Sequence, residues 1–310
     1  MKPKVTIGMC ARNSEGTIAK AIKSILNQNF PHESMEILFV DDGSEDRTLA
    51  IIQEYASKTD IATRIFSEGW FGLGRARNTI LNNAQGEYVM WIDSDEIIER
   101  NFVRKQFDII ECYPRAGILT AILTITRKEQ LVLLLELLPN ISEYATQNWL
   151  KSWKLPGTGG ATYRLEAAKQ VGGFNEKIRG ACEDIDMAWR MRQAGWQIIR
   201  GNAYFYESHG SLSSWKDLLK RYVYHGVEAR QLYSINRLFL SIYKINPLAS
   251  FISGIFYASL GYRLTHRKVS LLLPFHYTLK MIAWFYGFTK KMITIDLGKP
   301  DIDINGQVFC

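Results

Sequence analysis

The chain has 310 residues, 47% of them hydrophobic and 22% charged, which excludes a disordered or fibrous chain and allows one large core or two smaller ones. The formal net charge of +7 is uneven, because residues 212–291 hold 12 Lys/Arg against 2 Asp/Glu. Cys10, Cys112, Cys182 and Cys310 form no C-x-x-C pair, so neither a zinc pattern nor a disulfide framework is expected, and a reducing cytoplasm is the simplest home.

Met1–Met9 has basic residues but too short an apolar run for a signal peptide. Val5–Cys10 reads as a strand. Asn13 or Ser14 is placed to cap a helix reaching Gln28, whose Ile18, Ala21, Ile22, Ile25 and Leu26 fall on one face. Met35–Val40 is a second strand, closed by Asp41-Asp42-Gly43-Ser44, and Asp46 caps a helix over Thr48–Ala56. A short strand near Arg64–Phe66 and a helix from Leu73 to Ala84 follow. Next comes the apolar run Tyr88-Val89-Met90-Trp91-Ile92, which stops at Asp93-Ser94-Asp95, and Gly117–Ile125 is a further strand. This βαβαβ rhythm predicts a doubly wound, mostly parallel, Rossmann-like sheet. From Lys128 the pattern changes. Leu131–Leu138, followed by Pro139, is a short helix or a loop-packed segment; Pro156–Ala161 is a loop; Tyr163–Gln170 and Glu183–Gln193 read as helices ended by glycines. Beyond Ser213 the chain reads as helical to Lys291, broken at Pro247 and Pro274.

Asp93 and Asp95 end a buried parallel strand, the edge at which open α/β sheets bind ligands. Two carboxylates so close repel unless a cation lies between them, and oxygen ligands select Mg²⁺ or Mn²⁺, which is usually shared with substrate phosphates.

Four pieces occur in one order: Val5–Asn13; Phe39-Val40-Asp41-Asp42-Gly43-Ser44; Gly74-Arg75-Ala76-Arg77-Asn78 ahead of Asp93-Ser94-Asp95; and Gly172-Gly173-Phe174-Asn175-Glu176 ahead of Cys182-Glu183-Asp184-Ile185-Asp186. Together they resemble the family 2 inverting glycosyltransferases of GT-A fold, over roughly residues 4–210. The resemblance implies a GT-A catalytic domain over 1–211, with a nucleotide-sugar half to about 125 and an acceptor half over 126–211, and a helical C-terminal extension over 212–310. It implies transfer of a sugar from a nucleoside-diphosphate sugar to a hydroxyl on a glycan or lipid-linked acceptor, in the synthesis of surface glycans.

Matched position by position, Cys10, Asn13, Asp41 and Asp42 hold the nucleoside, and Arg77 lies beside the nucleotide or diphosphate. Asp93, Ser94 and Asp95 form the D-x-D element, with Asp95 the more direct metal ligand. His209 lies where several members place a histidine near the metal. Asp184 is the base that deprotonates the acceptor and Glu183 its positioning neighbour; a helix start favours both as anions. Gly159 and Gly160 line the acceptor side ahead of Arg164, while Asp46 and Asp186 are expected to be structural. The Q-x-x-R-W element of the processive synthases is missing from the sequence, so transfer of a single sugar is expected. A nucleotidyltransferase would carry a Gly-rich basic loop where Cys10–Gly16 stands. A sugar-nucleotide-binding scaffold without catalysis is opposed by the intact acidic pairs.

In the C-terminal region Leu248–Tyr262 is too short to span a bilayer, and Val269–Phe288 contains Pro274, His276 and Lys280. Two readings stand: a subdomain packed on the catalytic domain, or basic, aromatic helices lying in the interface at the inner face of the cell membrane. No nucleic-acid-binding module accompanies the charge, so nucleic acid is not an expected partner.

Overall fold

In the computed structural model the described residues are 2–124, 155–178, 182–207, 214–236 and 246–290, with parts of a helical stretch over 131–138. The strands are β1 (Val5–Ala11), β2 (Met35–Asp42), β3 (Ala62–Glu68), β4 (Tyr88–Trp91), β5 (Glu96–Ile98), β6 (Ala116–Leu123), β7 (Thr162–Arg164) and β8 (Gln197–Glu207). They form one sheet in the order β3-β2-β1-β4-β7-β6-β8-β5. The pairs β1–β2, β1–β4, β2–β3 and β6–β8 are parallel, whereas β7 runs antiparallel to both neighbours and β5 antiparallel to β8.

The near-continuous apolar runs of β1 and β2 follow from burial on both faces. On one side Ile7, Met9, Ile37 and Phe39 pack against Ile18, Ile22 and Ile25 of α1 (Ile18–Leu26). On the other, Leu38 and Val40 meet Ala76 and Ile80 of α3 (Leu73–Asn83). Each such side chain contributes about 1.5–3 kcal/mol of transfer free energy. Between these lies α2 (Thr48–Ala56), as read from the sequence. Asp46 accepts from Thr48 N at its front, 2.9 Å, and ties it to Glu15 N. The cap predicted for α1 is different: the Asn13 carboxamide turns to Glu45 N, and Ser14 presents its carbonyl, not its hydroxyl, to Thr17 N and Ile18 N.

The helix expected from Tyr163 starts later. Tyr163 instead sits in β7, wedged between Val89 and Ile118, and α5 begins at Leu165 (Leu165–Gln170). The Tyr163 ring packs against Trp91 and Phe174, and cross-strand burial overrides the helical pattern. Two further helices among the described residues are α4 (Phe102–Cys112) and α6 (Glu183–Gln193).

Among the described residues three α-helices follow: α7 (Trp215–Asn236), α8 (Pro247–Thr265) and α9 (Leu273–Thr289). Both predicted breaks hold, with each proline in the first turn of its helix, where its missing N–H costs nothing. Helices α7 and α9 cross at glycines: a Cβ on Gly226 would run into Trp284 O, and one on Gly287 into Val223 O. The polar residues that counted against a membrane span find a partner in Glu136. It accepts from His276 Nε2, from Lys280 Nζ at 3.0 Å and from Tyr222 OH at 2.6 Å. Among the described residues no helix is long and apolar enough to cross a membrane.

Candidate active site

The C-terminal ends of β1, β2 and β4 share one sheet edge, and the loops there carry most of the residues singled out in the sequence. Past β2, Asp42 accepts from Phe71 N at 2.9 Å and from Gly72 N, so its carboxylate fixes the entry to α3 instead of standing free. Burial pushes that carboxyl up, against the pull of those two N–H groups. Asp41 accepts from Ser44 N through Oδ2, whereas its Oδ1 is buried without a hydrogen-bond partner. Asn13, in the left-handed region at φ 47°, is stitched to the same turn through Ser44 and Glu45. The Cys10 thiol faces the core among Leu38, Val40 and Trp91, and burial pushes it far up. Only its backbone is left to meet a ligand. At the same edge the Arg12 guanidinium lies 4.8 Å over the Trp70 ring, with Nε and Nη1 buried and lacking hydrogen-bond partners.

Arg77 is the centre of the arrangement. It sits on α3, 3% exposed, in an ion pair with Glu183 and 3.6 Å from Asp93 Oδ1. Trp91 and Phe174 form an aromatic wall beside it, with ring centroids 6.0 and 5.7 Å from the guanidinium carbon. The surface ion pair that its helical position alone would suggest is therefore not what forms. Nor does the guanidinium stand free for a phosphate, since it is committed to the two carboxylates. Asn78, the next residue, brackets Phe174 with hydrogen bonds to its N (2.8 Å) and O (2.9 Å), which docks α3 on the turn before α6.

Asp184 lies on the first turn of α6. Its Oδ1 accepts from Ile185 N at 2.7 Å. Burial raises its pKa, opposed by Arg77 and by the backbone N–H groups of Ile185 and Thr158. Asp93 keeps 35% of its side chain exposed. Its carboxyl is nevertheless pushed up, first by withdrawal from water and then by Asp95 and Asp184, with Arg77 opposing. Ser94 hydrogen-bonds through its hydroxyl to Ser14, 2.8 Å, joining the β1 and β4 loops.

The loop 157–160 closes the gap. A Cβ on Gly157 would lie 3.0 Å from Asp184 Oδ2, and one on Gly159 would run into Glu96 Oε1 and lie 3.9 Å from Asp93 Oδ2. One short glycine loop thus touches the acid of α6 and the acid after β4. Gly160 needs its φ of 62°, and a Cβ there would strike the Phe205 ring.

A model of the family described as "Glycosyl transferase family 2" matches residues 6–172, more than half of the chain. The chain belongs to glycosyl transferase family 2. Among curated relatives of this family-2 chain, poly(ribitol-phosphate) beta-N-acetylglucosaminyltransferase TarS of Staphylococcus aureus is 35% identical over 92 residues, 30% of the chain and 16% of TarS. The cholesterol galactosyltransferase of Borreliella burgdorferi is 40% identical over 98 residues, 32% of the chain and 26% of that protein. The chain therefore spans only a minor part of the length of these relatives. Two solved structures share the GT-A fold over nearly the whole chain. The mannosyltransferase PcManGT of Pyrobaculum calidifontis, in complex with GDP-Man and Mn²⁺, has a TM-score of 0.67 at 18% identity and covers 93% of this chain and 87% of its own. TarS 1–349 with UDP-GlcNAc has 0.53 at 18% identity, covering 92% and 90%.

Two features of this family-2 site depart from the sequence reading. Arg164, expected beside the acceptor, points to the opposite end of β4. It donates to Tyr88 OH and to the carbonyls of Ala116, Ile110 and Tyr113, with its guanidinium over the Tyr88 ring. Strand β7 runs antiparallel to β4, pairing Arg164 with Tyr88 and carrying it away from Asp93. Glu96 was not singled out. It is 1% exposed, and its Oε2 accepts from Asp93 N at 2.9 Å and Gly160 N at 3.1 Å, clasping the Asp93 loop to the glycine loop. Burial and the neighbouring Asp93 push its carboxyl well up. The signal was a third acid directly after D-S-D. His209 lies outside the described residues.

Among the described residues no group of three or more His, Cys, Asp or Glu side chains is placed to hold a metal by itself. Asp93 and Asp95 supply two oxygen donors, which suits a cation that takes its remaining ligands from a substrate diphosphate and water.

Proposed function

We propose that this protein transfers a single sugar from a nucleoside-diphosphate sugar to a hydroxyl group with inversion, dependent on Mg²⁺ or Mn²⁺, in the assembly of a surface glycan or lipid-linked oligosaccharide. The observation that carries the reading is the contact of one glycine loop with both Asp184 and the Asp93 region, which sets a base beside the D-x-D element. Asp93 and Asp95 would hold the metal, and a bound cation would offset the charge of the leaving diphosphate. The nucleoside would lie at the ends of β1 and β2, meeting the Cys10 backbone, Asn13, Asp41 Oδ1 and the buried edge of Arg12.

In the reaction the acceptor hydroxyl oxygen attacks the anomeric carbon, the bond to the nucleoside diphosphate breaks, and Asp184 takes the hydroxyl proton. Glu183, anchored by Arg77, would keep that helix start in place. The activities by which the partial relatives are named, transfer of N-acetylglucosamine to poly(ribitol phosphate) and of galactose to cholesterol, support the reaction class. We place the catalytic boundary near residue 211, and the acceptor at the inner face of the cell membrane. Asp184→Asn tests the base. Donor binding should persist and sugar transfer should fall by about 10²-fold or more. Transfer at the normal rate by this variant would remove Asp184 from the role.

A further inference from the structure

Helices α8 and α9 expose an apolar surface for which a folded monomer has no use. Along α8, Leu248, Ile252 and Phe256 are exposed at a spacing of four; along α9, Phe275, Leu279 and Ile282 are exposed at spacings of four and three. Leu248 is 67%, Phe256 64% and Phe275 62% exposed. The two helices meet beside these stripes, where Phe251 of α8 packs edge to face on Phe275 of α9 with centroids 5.8 Å apart. Large exposed apolar patches mark docking surfaces.

Charge identifies the occupant. Residues 246–290 contain no Asp or Glu, but five Lys or Arg. One of these, Lys280, is buried against Glu136. The others, Arg263, Arg267, Lys268 and Lys290, lie at the ends of α8 and α9, flanking the apolar stripes and not interrupting them. An apolar face on helices that carry no acid between 246 and 290 and are flanked by cations fits the headgroup and acyl boundary of an anionic bilayer. With no described helix able to cross the membrane, the face would lie on it.

We infer that the outward face of α8 and α9 seats the protein on an anionic lipid surface. This rests on the reading above only in that a membrane-borne acceptor gives the seat its use. The test is flotation of the full chain with vesicles of phosphatidylcholine alone, or with one third phosphatidylglycerol. The chain should float with the anionic vesicles, less with the neutral ones, and less at high salt. Phe256→Glu with Phe275→Glu should cut the bound fraction roughly tenfold or more, given the transfer free energy of two phenylalanines. Because both rings are exposed, the melting temperature should hold. Arg267→Glu with Lys268→Glu, a pair outside the apolar face, should remove the preference for anionic lipid.

Absence of flotation overturns the proposal. So does flotation untouched by both double variants, or a dimer in gel filtration that Phe256→Glu with Phe275→Glu dissolves, which would assign the face to a second copy of the chain. Thermal shifts with nucleoside diphosphates on the same samples keep the two readings apart. Vesicle binding without nucleotide binding would leave the lipid seat standing and remove the transferase.

Discussion

Arg77 and Glu183 form a buried ion pair in which each charge depends on the other. Burying an uncompensated charge costs about 3–5 kcal/mol, whereas exchanging both partners for apolar groups is often neutral. Arg77→Met alone should therefore lower stability by that amount in urea denaturation. Arg77→Met with Glu183→Leu should regain most of it while still lacking transfer activity. Equal losses in the single and double variants would show that the pair is not coupled. At Asp184 the raised pKa has a kinetic consequence: the base works only as the anion. The rate under limiting substrate should climb with pH through a value above the ordinary Asp range of about 3.9 and level off on the alkaline side. A flat profile from pH 4 upward would remove the proton transfer assigned to this residue. The carboxylates differ in what they bind: Asp42, expected at the nucleoside, is spent on backbone N–H groups. Asp186 binds Arg190, whereas Asp93 and Asp184 lie beside the glycine loop 157–160.

At the scale of elements, the parallel half of the sheet was legible because β1, β2 and β4 are apolar on both faces and each ends in polar residues. The other half was legible only at β6, read as Gly117–Ile125. Strand β7 is three residues long, and only its position between β4 and β6 makes it a strand. Strand β8 alternates buried and exposed residues along Gly201–Phe205, but it pairs with a strand some eighty residues earlier and carries a register shift, neither of which is visible in sequence. The motifs placed Asp93, Glu183 and Asp184 correctly at element ends. They misplaced Arg164, because its direction depends on the antiparallel turn of β7. Glu96 stayed hidden because its importance lies in two backbone N–H groups from separate loops. Glu96→Ala should leave those donors unpaired and cost about 1–3 kcal/mol. Glu96→Gln, which keeps an acceptor and removes a strained charge, should melt at or above the wild-type temperature at neutral pH. A lower melting temperature for the glutamine variant would show that the ionised carboxylate is the stabilising form.

For the molecule as a whole, the cluster around Glu136 ties the stretch 131–138 to α7 and α9. Burial alone would raise the Glu136 carboxyl, but Lys280, His276 and Tyr222 outweigh it and hold it well below the ordinary range. A depressed carboxylate contributes stability that is complete above the unfolded value, about 4.3 for Glu, and is lost as pH falls through the lowered folded value. The C-terminal helices should therefore melt at lower temperature on acidification below about pH 4. Glu136→Gln should lower the neutral-pH melting temperature and flatten that acid dependence; an unchanged acid limb would assign it to other groups. The membrane reading belongs to this scale too, since the apolar stripes of α8 and α9 gain their meaning only together.

The proposed reaction requires the edge formed by β1, β2 and β4 to bind a nucleoside diphosphate with a divalent cation. The most direct measurement is the melting temperature of the full chain with UDP, GDP, dTDP and CDP, each with and without Mn²⁺. A ligand that binds only the folded state raises the melting temperature by mass action. A rise with at least one nucleotide, dependent on Mn²⁺ and abolished by Asp95→Ala, is the predicted result. No rise with any of the four, at saturating concentration and with metal present, would contradict the account.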